Sequence, residues 1–546
     1  MQNKVYGFAV FVRSPLAYSN CGFRKHIMQA DVRGGNSGTR YLLCMPHTQP
    51  IQLNGEPLTI HMVHQVARLG RVAQIGATGR ANLLRAREAV NKVAAGNTAV
   101  YGINTGFGSL AHVRVPTDQL RQLQHNIVRS HAAGVGKPLP TDVVRGMLVI
   151  LAASLCRGHS GVRVEVVERI LHMLAHDITP VVPEIGSVGA SGDLAPLAHA
   201  MLSLMGEGDV IVAGKSISAA AALKAANLQP MQLEAKEGLA LLNGTHLMAS
   251  RAALAFEEID TLRGAAINAA AMSMDACLAS HSPLDERIHL ARNQPGQITV
   301  AAAMRGLLAG SNIPASHKDN DPRVQDPYGL RCAAQVIGAA FDQLDSARLV
   351  VERELGAVTD NPLVFVDDSG AFEIVSGGNF HGMPLALAMD QAKIALCHIA
   401  GISERRTFWV LSGHDTVNRV QPHLATSPGL ESGLMITQYT AAACCNELQS
   451  LAHPASVGNV STCGGIEDYN SFGPTSATQL ARSVELCRSV IAIELYVMTQ
   501  ALEAQRPLRS GAGVEAMHAL VRSRVKPLSG DRSPAPDLAA IIELIA

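Results

Sequence analysis

Two long stretches of this chain carry apolar residues at steps of three and four, and a chain that must bury two such stripes has few folds open to it. In the first, Ile337, Phe341, Leu344, Ala347, Val351 and Leu355 follow that spacing; in the second, Leu480, Val484, Cys487, Ile491, Leu495 and Met498 do. At 3.6 residues per turn each set forms one continuous apolar face, so each predicts a long helix. Composition agrees: a hydrophobic fraction of 47% with only 4% aromatic residues favours a core of Ala, Leu, Val and Ile carried on helices. Strand signals are short and few, such as Asn361-Pro362-Leu363-Val364-Phe365-Val366, and no internal repeat is visible. From Thr59 onward, helix-like segments alternate with Gly/Pro punctuation. The expected fold is mainly α, a bundle of long helices.

Charge narrows the partners. Lys plus Arg and Asp plus Glu are 45 each, so no basic face recommends a nucleic acid and no acidic tail a basic partner. Charged residues make up only 16% of the chain, which implies apolar surface covered by other subunits. The ten cysteines show no CxxC pair and no metal-ligand spacing, and read as reduced, mostly buried thiols of a cytosolic protein that holds no metal. The longest uncharged stretches, such as Gly264 to Met274, are too short to span a bilayer, and no secretory signal is recognisable. Residues 1–48 are rich in Gly, Ser, Asn and Arg and lack periodicity. They read as an extension of unknown role, with Met45 opening a stretch like an ordinary protein start.

The chemistry-bearing residues lie in loops between helices. Gly186-Ser187-Val188-Gly189-Ala190-Ser191-Gly192-Asp193-Leu194-Ala195-Pro196-Leu197 places three small residues among further glycines. Ala190-Ser191-Gly192 offers no acid, base or metal ligand, and its plain reading is a tight turn before a helix. Gly192, however, allows an amide nitrogen to fold back on a nearby carbonyl, which bulkier residues forbid. Tyr101-Gly102-Ile103-Asn104-Thr105-Gly106-Phe107-Gly108 is a glycine-spaced loop presenting a phenol, without the strand, helix and Lys-Ser/Thr context of a phosphate loop. Ser130-His131 closes a helix-like run. Taken singly, His131, Asn243 in Leu241-Leu242-Asn243-Gly244-Thr245, and Tyr328 with Arg331 in Gln325-Asp326-Pro327-Tyr328-Gly329-Leu330-Arg331 are turn residues, caps or satisfied core groups as readily as site residues.

Together these segments, in this order along the chain, resemble the ammonia-lyase and aminomutase family that acts on aromatic amino acids. Gln297 in Pro295-Gly296-Gln297, Asp360-Asn361-Pro362-Leu363 and Ser376-Gly377-Gly378-Asn379-Phe380-His381 extend the match, which covers residues 50 to 546. The resemblance implies a helix bundle of the fumarase/aspartase-like type assembled as a homotetramer. It divides the chain into the 1–48 extension and a catalytic chain over 49–546, with an electrophile-bearing part at 49–250 and a central bundle and C-terminal part at 251–546. It also implies a 4-methylideneimidazol-5-one made autocatalytically from Ala190, Ser191 and Gly192, with no external cofactor. By the same resemblance Tyr101 takes the β-proton, for which its phenol must titrate below its usual range. Arg331 binds the substrate carboxylate, Asn243 and Tyr328 flank the electrophile, Phe380 packs beside it, and Gln297 joins the substrate site. Assembly would bring Tyr101 to a neighbour's electrophile.

Two positions bear on the substrate. Ser130-His131 matches histidine ammonia-lyases, although some tyrosine aminomutases share it, and Glu467 in Gly465-Ile466-Glu467-Asp468 stands where many phenylalanine and tyrosine enzymes carry Gln. A carboxylate suits a ring bearing N–H donors and is wasted opposite a phenyl. Met435, in Ser432-Gly433-Leu434-Met435-Ile436, and Asp285-Glu286-Arg287-Ile288-His289 also resemble the histidine enzymes. The resemblance therefore implies a cytoplasmic lyase converting L-histidine to trans-urocanate. Departures leave alternatives open: Gly465-Ile466 replaces the usual Asn-Gln, His246 stands where Gln is common, and the stretch from Ser412 to Pro428 is atypical. A tyrosine or ergothioneine lyase, or a 2,3-aminomutase, is the alternative within the family; a non-catalytic scaffold is the alternative outside it.

Overall fold

The computed structural model describes residues 49–546 apart from 97, 107, 109–112, 320, 416 and 419. The extension read at 1–48 lies outside the described residues. In the first part, helices α1 (Leu120–His131), α2 (Thr141–Leu155) and α3 (Leu194–Leu202) surround short sheets, the largest joining Thr179–Pro180, Asp209–Val212 and Lys215–Ser218. The bundle follows, with α4 (His246–Ala276), α5 (Pro295–Leu308), α6 (Ala333–Glu354), α7 (Met383–Ser412), α8 (Met435–Leu451) and α9 (Gly473–Glu503). Both helices expected from periodicity are present, as α6 and α9, and the Leu363–Val366 segment is a strand, β1, paired antiparallel with β2 (Phe372–Val375). Helix α4 runs unbroken across position 250, so the two parts of the chain share a helix.

Amphipathic stripes explain α6 but not the bundle's centre. Helix α4 is buried along nearly its whole length and around its whole circumference, a pattern reserved for a helix packed on all sides. Its alanines let α9, α6 and α7 approach closely. Helix α7 is the one described helix long and apolar enough to cross a membrane, and two thirds of that stretch is buried within the protein. At the heart of the bundle Arg406 forms a two-pronged ion pair with Glu494 (2.5 and 2.8 Å), whose oxygens also accept from Ser273 and Ser403 (2.6 and 2.5 Å). These four side chains tie α4, α7 and α9 into one register, since removing one partner of such a buried pair strands the other charge.

Length is the property of α4 that matters for function. Thirty-one residues at 1.5 Å rise give about 46 Å between its ends. The eight described cysteines are free; Cys156, Cys277, Cys445 and Cys487 are buried and the other four half-buried, less covered than composition suggested.

Candidate active site

The Ala190-Ser191-Gly192 loop joins a short strand to α3 and is clamped against the N-terminal end of α4. Gly192 takes φ +73° and pairs with Gly244, and a Cβ placed on it would stand 2.2 Å from the Gly244 carbonyl oxygen. Only glycine fits there. The Asp193 amide donates to the same carbonyl (2.7 Å), while the Asp193 carboxylate accepts from the Leu247 and Met248 amides (2.9 and 3.1 Å) that open α4. Free helix N–H groups and the positive end of the helix dipole make this a natural anchor for a carboxyl group. On the other flank the Ser471 hydroxyl donates to Gly189 O (2.9 Å) and the Phe472 amide to Val188 O (2.9 Å). Full burial nonetheless pushes the Asp193 carboxyl up to about 7. Sequence reading passed over Asp193 and Ser471; the first was legible as the acidic residue beside the motif, whereas the second is 282 positions from Gly189.

Ser191 points to Glu467, its hydroxyl donating to Oε1 at 3.0 Å. The other carboxylate oxygen accepts from Thr462 (3.2 Å), and Thr462 and Glu467 also pair through their backbones, closing a tight turn. Within that turn Gly464 and Gly465 take φ +63° and +93° with open space where side chains would be, and Ile466 faces outward. The replacement of Asn-Gln by Gly465-Ile466 therefore reshapes the outer side of the turn and leaves the carboxylate in place. His131 ends α1 half-buried with Nδ1 3.1 Å from Ser130 Oγ, and burial lowers its pKa while the nearby Glu467 raises it.

Tyr101 shares this surround. Glu467, Cys463 and Asp360 of its own chain are all near enough to act on the phenol, and the Gly108 amide donates to it at 3.5 Å. Tyr101 thus stands near Glu467 of its own chain, the carboxylate that holds Ser191, and one expectation changes. Burial, with the negative charge of Glu467, raises its pKa rather than lowering it. Behind the loop, Lys236 and Asp360 form a buried ion pair (2.6 Å), and Asn361 O accepts from Asn243 (3.1 Å). The Asp360-Asn361-Pro362 motif is thus a buttress for Tyr101 and Asn243. Half-buried Phe380 stands two residues before Gly382, whose amide donates to Gly189 O (3.3 Å).

The remaining expected residues are at the other end of α4. Asp326 accepts from the Ser280 amide (2.9 Å), just past that end, and Arg331 Nε donates to Asp326 O (3.0 Å). The Arg331 guanidinium lies over the exposed Tyr328 ring, 4.4 Å from its centre. Met435 opens α8, one turn before Gln438, which bonds to Glu404 (2.7 Å) beside the Arg406–Gly329 contact. Gln297 is buried and bonded to His289 (2.9 Å), which in turn bonds Pro283 O (3.1 Å). Asp285 caps the helix that carries His289, so the Asp285–His289 motif holds Gln297 and is remote from Ser191. One chain therefore places the expected residues in two groups: Tyr101, His131, Ala190-Ser191-Gly192, Asn243, Phe380 and Glu467 at one end of α4, and Gln297, Tyr328, Arg331 and Met435 at the other.

Sequence spacing pointed to no metal, yet His61, His64 and Glu257 gather within 4.8 Å of one another on the α4 flank. Arg71 occupies Gln65 Oε1 (2.6 Å), leaving the Gln65 amino group to donate to His61 Nε2 (3.0 Å). His61 Nδ1–H is then the donor to Glu257 (2.9 Å), which joins these two residues to Gln65 and Arg71 in one hydrogen-bonded network.

His246, the atypical residue after Asn243-Gly244-Thr245, opens α4 fully buried, with neither ring nitrogen hydrogen-bonded among the described residues. Burial lowers its pKa to about 3. An unfolded chain takes up this proton below about 6.5 and the native one does not, so stability falls as pH drops through that window, by at most ~1.4 kcal/mol per unit. Thermal melts at pH 7 and pH 5 are expected to show wild type losing about 2 kcal/mol more than His246→Gln; parallel losses would contradict a neutral buried ring.

A helix bundle carrying a clamped Ala-Ser-Gly loop is the scaffold, and comparison with known proteins identifies it as that of a lyase. The model of the aromatic amino acid lyase family matches residues 58–523, and the chain belongs to that family. Histidine ammonia-lyase of Deinococcus radiodurans is 47% identical over 481 residues, covering 88% of this chain and 91% of that protein. The crystal structure of histidine ammonia-lyase from Trypanosoma cruzi superposes with a TM-score of 0.83 at 36% identity, covering 91% of this chain and 93% of its own. Tyrosine aminomutase from Streptomyces globisporus gives 0.85 at 33%, covering 91% and 97%.

Proposed function

We propose that this chain eliminates ammonia from L-histidine to give trans-urocanate, in the cytoplasm and as a homotetramer. The observation that carries the substrate is Glu467: a carboxylate, with His131 near it, stands against Ser191 where a ring bearing N–H groups needs an acceptor. Similarity to histidine ammonia-lyases of 44–47% identity over most of the chain supports the same reading.

The residues present fit a methylideneimidazolone made from Ala190, Ser191 and Gly192, because the loop is pinned on both flanks and position 192 tolerates no side chain. That group supplies an electrophile able to bond the substrate amine, turning ammonia into a better leaving group. The rest falls to side chains. Asn243, fixed by Asn361, is placed to stabilise negative charge next to the loop. Arg331 offers a planar fork to the substrate carboxylate and Tyr328 closes over it. Tyr101 removes the β-proton as general base. Because its own chain raises the phenol's pKa, the lowering this role requires comes from Arg331 and its surroundings, delivered by another copy. Antiparallel packing of the helix bundles of two copies does this, bringing together opposite ends of helices about 46 Å long and covering exposed Tyr328, Leu387, Ile436 and Tyr439.

A substrate panel tests the assignment. Purified protein mixed with histidine is expected to develop urocanate absorbance, with tyrosine, phenylalanine and ergothioneine turned over at least about tenfold more slowly. Preferred turnover of tyrosine or ergothioneine would move the substrate and keep the family; β-amino acid products would make the enzyme a mutase.

A further inference from the structure

We propose that Glu467 has an earlier task than reading the substrate ring: it carries the proton that expels the Ser191 hydroxyl when the electrophile forms. This rests on the reading of Ala190-Ser191-Gly192 as a self-made electrophile. The carboxylate holds the hydroxyl that has to leave, Ser191 Oγ–H donating to Glu467 Oε1 at 3.0 Å. Thr462 holds Oε2 at 3.2 Å, so the group is aimed from behind. Asp193, the adjacent acidic residue, is turned away. Its Oδ2 is occupied by the Leu247 and Met248 amides and its Oδ1 faces Ser187 (3.4 Å).

The chemistry balances with this one carboxylate. The Gly192 nitrogen attacks the Ala190 carbonyl carbon, and its proton passes to that oxygen. The oxygen departs as the first water with the Ser191 amide proton, leaving a C=N bond. The Ser191 Cα–H bond then breaks, its electron pair becoming the second bond of Cα=Cβ, while the Cβ–Oγ pair leaves with oxygen. Hydroxide is a poor leaving group, and general acid catalysis is the usual remedy. Cα is two bonds from Oγ, so a carboxylate against the hydroxyl is placed to accept the Cα proton and return it to Oγ. The second water leaves neutral and Glu467 ends as the carboxylate it began.

A consequence follows for the order of events. Until Oγ is gone, Glu467 Oε1 is engaged by Ser191; once it has left, the same lone pair is open to a substrate ring N–H. Maturation and ring recognition are then sequential uses of one oxygen, and an immature site is blind to the imidazole.

Intact-mass measurement on freshly folded protein reads this without reference to turnover. Wild type is expected to lack two waters. Tyr101→Phe, impaired in elimination, is expected to lack two waters as well. Glu467→Gln is expected to accumulate chains lacking one water or none, with loss of the second water slowed about 100-fold or more; Glu467→Asp should recover part of the rate. Complete loss of two waters from Glu467→Gln at the wild-type pace overturns the proposal. Wild type lacking no water overturns the electrophile reading instead, so the two failures are distinct. Circular dichroism identifies folded variants. Should Glu467→Gln not fold, Thr462→Val takes its place, since it leaves the carboxylate but releases Oε2; it is expected to slow the second loss several-fold, and unchanged maturation overturns the proposal.

Discussion

Ser191→Ala folds, keeps its full mass and loses ammonia elimination by three orders of magnitude or more, the scale on which deleting a covalent catalytic group acts. The fold should survive because Ser191 supports none of the clamps on its own loop. Those belong to Gly192 with Gly244, to Asp193 with the first amides of α4, and to Ser471 with Gly189. The side chain's one described bond is to Glu467. A melting temperature near wild type, an unreduced mass and residual turnover below 0.1% (roughly,) are the expected results. Near-normal activity would place the electrophile elsewhere.

Mixing two dead variants should restore activity, and this is the second large effect. Ser191→Ala disables one end of α4 and Arg331→Ala the other, about 46 Å away in the same chain. If each working site takes the electrophile from one copy and the arginine from another, co-expression in equal amounts leaves about a quarter of sites with both intact, by random assortment. Recovery from below 1% (roughly,) to about a quarter of wild-type turnover is therefore expected. Either variant alone stays dead, because every site then lacks the same group. Co-expressed chains showing no recovery would mean that the ends do not meet in an assembly. That would leave Arg331 without a route to the substrate.

The helices were largely legible because their signal is local. Periodic apolar residues announced α6 and α9, and the β1 segment read correctly from its short apolar run. Helix α4 was less visible. Burial on all sides erases the polar face that periodicity depends on, leaving only an Ala-rich composition. Ala190-Ser191-Gly192, Tyr101, His131, Asn243 and Glu467 were named from motifs, and the structure does gather them. Asp193 and Ser471, which hold the loop, were missed since a supporting hydrogen bond leaves no pattern of its own. Tyr101 shows the sharper limit. Its chemical role suggested a lowered pKa, but burial and Glu467 push the phenol the other way.

By itself, then, the sequence determined which residues this protein has for its chemistry and which kind of scaffold carries them. Both are written in residue type and local spacing. Tertiary structure decided which of those residues stand together. Glu467 meets Ser191 across 276 positions because a closed turn presents it there, while Arg331 is parted from both because one long helix holds the two groups of residues apart. Distance in space depends on packing between segments far apart in the chain, and no local pattern encodes it.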